Sequence, residues 1–233
     1  MGWLRASLRL IALAAWMLVC VPLHLLTRMT RQRSNWPRRF LRGVGWILGA
    51  RVRVTGAPLA PGTLALANHV SWLDIIILAG ASGTAFVSKA EIKMVPLVGW
   101  LADQNHTVYV ERADRRGVRG QVAAVERALG RPFPITVFPE GTTSDGTGML
   151  PFRTTLIAAA GETVRPIAID YGEAAPAIAW KDEPALDNVR MILRRRGPLD
   201  VRISLLAPLP PGLDRKALAR DARQAIAAHL ARP

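Results

Sequence analysis

An uncharged apolar run near the start of the chain limits most strongly what this sequence can fold into. The run extends from Leu10 to Leu26 and reads LIALAAWMLVCVPLHLL, with Arg5 and Arg9 before it and Arg28 after it. As an α-helix, its 17 residues would be roughly 26 Å long, slightly short of the ~30 Å hydrocarbon core of a bilayer. The sequence therefore predicts that this segment contacts a membrane.

Positive charge is concentrated in the same region. The 233-residue chain has 31 Lys plus Arg against 17 Asp plus Glu, a formal net charge of +14. Ten Arg lie between Arg5 and Arg53, whereas the first acidic residue is Asp74. Such a surplus suits nucleic acid or an anionic membrane surface. Because the arginines flank the apolar run, the bilayer is the expected partner and nucleic acid is not.

The N-terminal segment has three possible topologies. Trp36 to Ala50 alternates Arg with bulky apolar residues, which is typical of an amphipathic interfacial helix. Arg on both flanks of the first run disfavours a simple span, because the positive-inside rule requires one arginine-poor side. We therefore predict a monotopic membrane-anchoring helical hairpin over residues 1–50, with a single span as the alternative. Pro22 to Leu26, at the end of the run, stand where a signal peptide would have its small-residue cleavage site, so cleavage is disfavoured.

After Arg51, short β-type runs alternate with helical stretches. This pattern predicts one α/β domain over residues 51–233, with a largely parallel or mixed sheet flanked by helices. The predicted strands are residues 52–55, 63–67, 84–88, 107–110, 135–138, 164–170 and 200–205. The predicted helices are residues 71–79, 95–102, 117–129, 152–160 and 214–230, the last capped by Asp214. One Cys and four His favour neither a disulfide nor a zinc cluster, and we expect no metal or other cofactor.

The first segment with chemical potential follows the predicted strand 63–67. His69 stands just past the strand end, and Asp74 comes five residues later on the next predicted helix. A carboxylate that holds an imidazole makes a general base, because it fixes the tautomer and stabilises the imidazolium. Ser71 and Asp74 also match a capping box, in which the carboxylate satisfies backbone donors at a helix start. Both interpretations remain open.

The second segment, from Phe138 to Thr142, reads Phe-Pro-Glu-Gly-Thr and follows another predicted strand. One interpretation is a Gly-containing turn with local hydrogen bonds. The other is a ligand site at the sheet edge, where α/β proteins commonly bind their ligands. Each segment is weak evidence alone, and their occurrence together, about seventy residues apart, favours a shared site.

Together the two segments resemble the lysophospholipid acyltransferase family, of which 1-acylglycerol-3-phosphate O-acyltransferases are the best-known members. His69 to Asp74 is similar to the family's His-x-x-x-x-Asp motif, and Phe138 to Thr142 to its Phe-Pro-Glu-Gly-Thr motif. Val108 to Arg112 resembles the family's substrate-binding block that ends in Arg, and Val164 to Ile169 resembles its late Pro-containing strand. The likeness covers roughly residues 36 to 230.

The resemblance implies that a fatty acyl group moves from acyl-CoA or acyl carrier protein to the free hydroxyl of a lysolipid. It implies that His69 and Asp74 are catalytic. The residues implied in acceptor binding are Arg112, Glu140, Gly141 and Thr142. Acyl transfer to an alcohol needs a base and oxyanion donors but no protein nucleophile, so we expect direct attack on the thioester. Arg112 has an alternative interpretation as a solvated member of an arginine run. The expected location is the cytoplasmic face of the inner or plasma membrane.

The acceptor is the point at which the sequence departs from the family pattern. Thr143 stands where the family commonly has an Arg, and Arg forks suit phosphate oxygens. The expected acceptor is 1-acylglycerol-3-phosphate, and lyso-ornithine lipid is the alternative. The alternative arises because Gly-Thr-Thr-x-Asp-Gly, followed by Pro151-Phe152-Arg153, is similar to lyso-ornithine lipid acyltransferases. A non-catalytic basic module that binds membrane or nucleic acid is the alternative from a different class, and it explains only the charge.

Overall fold

Two helices open the chain in the computed structural model, which describes residues 2–30, 34–110, 117–181 and 183–231. Helix α1 spans Gly2–Met29 and helix α2 spans Trp36–Ile47, so α1 extends beyond the apolar run at both ends. The two helices pack antiparallel. The Trp16 indole donates to the Phe40 carbonyl, and His24 contacts Ser34 nearer the connection.

Seven strands form a single mixed sheet in the order β1-β7-β6-β2-β5-β3-β4. The strands are β1 Ala50–Thr55, β2 Leu64–Ala67, β3 Ala85–Lys89, β4 Val108–Val110, β5 Ile135–Val137, β6 Val164–Asp170 and β7 Leu199–Leu205. Strands β2 to β6 are parallel, β7 is antiparallel to β6, and β1 pairs in parallel with β7. The predicted α/β fold with a mixed sheet is confirmed.

Most of the remaining helices connect these strands, and the last one follows β7. They are α3 Leu73–Ser82, α4 Pro96–Gln104, α5 Val118–Leu129, α6 Ala175–Ile178, α7 Ala185–Arg194 and α8 Arg215–Leu230. Short 3₁₀ helices lie at Ala90–Met94, Leu156–Ala159 and Gly172–Ala174. The predicted N-cap of α8 is confirmed, since Asp214 accepts from two backbone N–H groups. The helix predicted over 152–160 is wrong, because the Arg153 N–H donates to the Pro139 carbonyl and only a short 3₁₀ helix follows. Helix α7 was not predicted.

Side chains from both faces of the sheet build two apolar clusters. Along β2, Leu64 and Leu66 join the cluster under α5 and α8, whereas Ala65 and Ala67 join the cluster under α2 and α3. This alternation follows from the twofold side-chain period of a strand. Because helices cover both faces, all four residues of the central strand β2 are apolar and buried. The polar residues that follow β2, β5 and β6 therefore emerge together at the carboxyl edge of these strands.

Helix α1 is tied to the α/β domain at both ends. Near its start, the Arg9 guanidinium donates at 2.9 to 3.2 Å to three carbonyls at the end of α7, those of Ile192, Leu193 and Arg195. Near its end, His24 Nε2 lies 2.9 Å from Gln104 Oε1 of α4. Between these attachments bulky apolar side chains such as Leu18 are exposed. By length and composition, α1 is the one helix among the described residues that is sufficient to cross a bilayer.

Candidate active site

His69 and Asp74 meet at the carboxyl edge of β2. His69 follows the strand, Asp74 lies in the first turn of α3, and His69 Nδ1 is 2.8 Å from Asp74 Oδ2. The Asp74 side chain is fully buried, whereas that of His69 is 15% exposed. The carboxylate can therefore hold Nδ1–H and leave Nε2 as the ring nitrogen able to take a proton from a bound hydroxyl.

The same carboxylate also organises the turn before α3. Asp74 Oδ2 accepts from the backbone N–H groups of Val70 at 2.7 Å and Ser71 at 2.9 Å. The bond from Ser71 is the acidic half of a capping box. The two interpretations that the sequence left open are thus compatible, because one carboxylate contacts the imidazole and satisfies the turn.

Tyr171, which the sequence analysis did not single out, supplies a further donor to Asp74. It directly follows β6, and its hydroxyl donates to Asp74 Oδ1 at 2.5 Å. Burial and the neighbouring Asp74 carboxylate raise the pKa of Tyr171 well above its usual range, so the hydroxyl stays protonated. The signal that could have found Tyr171 is its position, one residue past a predicted strand that ends at the same edge as the strand before His69.

Asn68 fixes the residue before the imidazole. Its side-chain nitrogen donates to the Ile169 carbonyl at 2.9 Å, and its side-chain oxygen accepts from the Ile169 N–H at 2.8 Å. These two bonds continue the connection between β2 and β6 beyond the last backbone pair, Ala67 with Ile167. His69 is therefore anchored to the strand that leads into Tyr171.

The Phe-Pro-Glu-Gly-Thr segment packs directly against His69. The Phe138 ring stacks on the imidazole with centroids 4.0 Å apart and planes 13° apart. Glu140 is buried, and its two oxygens accept at 2.7 Å from the backbone N–H groups of His69 and Leu150. Burial raises the pKa of Glu140, partly opposed by these two hydrogen bonds. Glu140 thus joins the two motifs through main-chain donors.

The loop after Glu140 brings a cation to the site. Gly141 has φ +77°, and a Cβ on it would lie 3.1 Å from the Arg153 guanidinium, so this turn favours glycine. Thr142 is exposed on the same loop, whereas the Thr143 hydroxyl donates to the Trp180 carbonyl. In the sequence, Arg153 drew notice only through the resemblance to lyso-ornithine lipid acyltransferases. The fold places its guanidinium beside Gly141 of the Phe-Pro-Glu-Gly-Thr motif.

Two further expectations from the sequence concern Arg112 and the question of a metal site. Arg112 is outside the residues that the structure describes, although β4, which leads towards it, pairs with β3 at the end of the sheet. Within residues 2–30, 34–110, 117–181 and 183–231, no group of three or more His, Cys, Asp or Glu side chains could hold a metal ion.

Comparison with known proteins decides which family this geometry represents. A family model described as Acyltransferase matches residues 51–170, a span that includes both motifs. The chain is 39% identical to the lyso-ornithine lipid O-acyltransferase of Pseudomonas aeruginosa over 212 residues, which cover 85% of this chain and 79% of that protein. The chain belongs to the lysophospholipid acyltransferase family. As an enzyme of this family, it transfers an acyl group to a lysolipid.

Two more proteins are similar to this acyltransferase. The 1-acyl-sn-glycerol-3-phosphate acyltransferase of Neisseria gonorrhoeae is 39% identical over 119 residues, which cover 49% of this chain and 47% of that protein. The crystal structure of the 1-acyl-sn-glycerophosphate acyltransferase PlsC of Thermotoga maritima shares the fold, with a TM-score of 0.70 and 22% identity over 100% of this chain and 99% of that chain. The family resemblance is confirmed, and the alternative of a non-catalytic basic module is set aside.

Proposed function

We propose that His69 is the general base of acyl transfer and that Asp74 orients it. His69 Nε2 takes the proton of the lysolipid hydroxyl while the hydroxyl oxygen attacks the thioester carbonyl. The tetrahedral intermediate then expels the thiolate, which takes that proton from the imidazolium and leaves as a thiol. The 2.8 Å contact between Nδ1 and the buried carboxylate supports this role, because a fixed negative charge stabilises the imidazolium formed during attack.

In this proposal Tyr171 and Glu140 are positioning residues. Tyr171 donates to the Asp74 oxygen that His69 does not use, and Glu140 holds the His69 backbone N–H. Glu140 would then support acceptor binding indirectly, by shaping the loop. Gly141 and Thr142 are the groups of that loop that we propose to contact the acceptor.

We infer that the acceptor is lyso-ornithine lipid. The relative with this name matches most of the chain, and Thr143 replaces the Arg that is common in phosphate-binding members. The Thr143 hydroxyl already donates a hydrogen bond to the Trp180 carbonyl. The Arg153 guanidinium beside Gly141 offers a planar fork to a carboxylate, such as that of an ornithine head group.

The second candidate acceptor is 1-acylglycerol-3-phosphate, which was the first expectation from the sequence. The Neisseria relative with this activity in its name is 39% identical over 119 residues, and the Pseudomonas relative has the same percentage identity over 212 residues. A guanidinium at the position of Arg153 would also suit phosphate oxygens.

We further propose that the enzyme is monotopic, with α1 lying along the membrane surface. Both ends of α1 contact the same α/β domain, through Arg9 and through His24. A helix that crossed the bilayer would have one end beyond a ~30 Å hydrocarbon core, away from that domain. Acyl-CoA and acyl carrier protein are anionic and suit a basic enzyme, and their supply in the cytoplasm supports the cytoplasmic face.

The acceptor assignment is tested with purified full-length protein in detergent, a labelled acyl thioester, and either lyso-ornithine lipid or lysophosphatidate. The expected result is a higher kcat/KM for lyso-ornithine lipid, lowered by Arg153→Gln. His69→Ala serves as the blank for both acceptors. A higher kcat/KM for lysophosphatidate would overturn the assignment of lyso-ornithine lipid and favour 1-acylglycerol-3-phosphate as the acceptor.

A further inference from the structure

We propose that α4 and the 3₁₀ helix before it form a second lipid-contacting surface, at the sheet edge that carries His69. We call this surface the α4 ridge, and it consists of Met94, Val95, Leu97 and Val98. The inference rests on the proposed membrane association and adds a part of the α/β domain to it.

The α4 ridge exposes large apolar side chains in an unbroken group. Met94 is 81% exposed, Val95 46%, Leu97 53% and Val98 49%. In the rest of the described α/β domain, bulky apolar side chains with comparable exposure occur singly or as the pair on β1. Contiguous exposed apolar groups of this kind mark surfaces that contact another apolar phase.

Packing beneath the α4 ridge prevents these side chains from turning inward. A Cβ on Gly99 would lie 2.4 Å from the Lys93 carbonyl oxygen, so glycine lets α4 pack directly against the preceding 3₁₀ helix. The Gly99 N–H donates to the Val95 carbonyl at 2.7 Å, and its own carbonyl accepts from Tyr109 at 3.2 Å. These contacts fix α4 against the preceding 3₁₀ helix, with the apolar side chains of the α4 ridge facing outward.

The inner side of α4 adjoins the membrane-anchoring helix α1. Trp100 and Leu101 of α4 line an apolar cavity together with Cys20 of α1 and Phe40 of α2. One helical turn further, Gln104 contacts His24 of α1. The two helices are thus neighbours, and we infer that the α4 ridge meets the same bilayer as the exposed side chains of α1.

The ridge is also close to the site along the sheet. Strand β3 ends at Lys89, and β3 is the neighbour of β5, which leads into Phe138 and Glu140. Exposed Lys89 and Lys93 precede the apolar side chains, with exposed Glu91 between them, and this net positive charge suits a surface that meets anionic head groups. A bilayer is thus the occupant that fits this surface.

Site-specific fluorescence can test this contact in the full-length protein. With Cys20→Ser as background, an environment-sensitive fluorophore is attached through Leu97→Cys and exposed to anionic vesicles that carry quenchers on their acyl chains. The same label at Leu18→Cys on α1 reports whether the protein is on the membrane. The label at Gln224→Cys on α8, which packs on the other face of the sheet, is the control.

We expect strong quenching at positions 97 and 18 and little at position 224. Quenching at 18 without quenching at 97 would overturn the inference and leave the proposed membrane association intact. The absence of quenching at both positions would overturn both proposals. Equal quenching at all three positions would also overturn the inference. So would a change in the fluorescence of the label at position 97 on addition of an acyl carrier protein but not on addition of vesicles.

Activity gives an independent measurement. Leu97→Asn combined with Val98→Asn should lower turnover of vesicle-embedded lysolipid on the order of tenfold, because apolar burial drives interfacial binding. Turnover of a short-chain lysolipid dispersed in detergent, and the Tm, should stay unchanged. Equal turnover on vesicles, or an equal loss with both substrates, would contradict a lipid-contacting role.

Discussion

The sheet edge with the candidate active site and helix α1 place their polar side chains in opposite ways. At the edge, the carboxylates of Asp74 and Glu140 are buried and accept several hydrogen bonds from within the domain. In α1, Arg9 and His24 bond to the domain while apolar side chains such as Leu18 remain exposed. A buried network fixes geometry for chemistry, and an exposed apolar helix fixes location. Substitutions at the edge should therefore lower kcat, whereas substitutions in α1 should leave kcat on a dispersed acceptor unchanged.

The largest effect is expected from His69→Ala. Removing the proposed base should lower kcat by roughly 10² to 10⁴, with vesicle binding unchanged. Initial rates at saturating acceptor and vesicle flotation measure the two quantities separately. Near-normal kcat would exclude His69 as the base and would break the contrast between the regions.

Asp74→Asn should lower kcat by a comparable factor, on the order of 10² to 10⁴, because the imidazole loses its charged partner. It should also lower Tm, since Asp74 accepts from the N–H groups of Val70 and Ser71. Kinetics and thermal melting are measured on the same preparation. A lowered Tm with normal kcat would leave only the capping role.

Glu140→Gln should lower kcat on the order of tenfold to a hundredfold, with a smaller change in acceptor KM. The side-chain NH₂ would face a backbone N–H where the carboxylate now accepts, and such an unsatisfied buried donor costs about 1–3 kcal/mol. Steady-state kinetics distinguish the roles. A raised KM at constant kcat would instead assign Glu140 to direct acceptor binding.

Tyr171→Phe should lower kcat only several-fold, because one of the donors to Asp74 is lost. The acceptor KM should stay unchanged, because Tyr171 contacts Asp74 and is not proposed to contact the acceptor. Steady-state kinetics measure both quantities, and an unchanged kcat would mean that this hydrogen bond does not help to position Asp74.

The raised pKa of Tyr171 has its own consequence for stability at high pH. Above about pH 10 the unfolded chain loses the Tyr171 proton while the folded chain keeps it, so the free energy of unfolding falls as pH rises. Denaturant unfolding at pH 8 to 11 should show a smaller decline for Tyr171→Phe than for the wild type. Parallel declines would contradict this contribution.

The smallest effect on kcat is expected from Arg9→Gln, which should leave turnover of a dispersed acceptor unchanged. Loss of the guanidinium contacts with three carbonyls of α7 should lower the free energy of unfolding by about 1–3 kcal/mol. Thermal melting measures it, with Arg53→Gln on exposed β1 as the matched control. Equal Tm values for the two variants would mean that α1 is not anchored through Arg9.

Local patterns were enough to predict the strands. Every predicted strand lies within two residues of an observed one at both ends, because apolar β-type runs bounded by turn residues are local signals. Helix α7 was not predicted, although its amphipathic sequence, which directly follows Pro184, is itself a local signal. The predicted helix over 152–160 does not form, because the Arg153 N–H donates to the distant Pro139 carbonyl, and no local pattern could indicate that hydrogen bond.

The sequence by itself determined the mixed α/β class, the apolar N-terminal helix and the two motifs that carry the family. Only the tertiary structure decided that β2 lies between β5 and β6, which brings Tyr171 onto Asp74 across 97 residues and Glu140 onto His69 across 71. It also decided that Asp74 contacts an imidazole and a helix turn at once. The physical reason is that strand order and buried hydrogen-bond partners depend on packing between distant segments, whereas helix, strand and turn preferences are set by neighbouring residues.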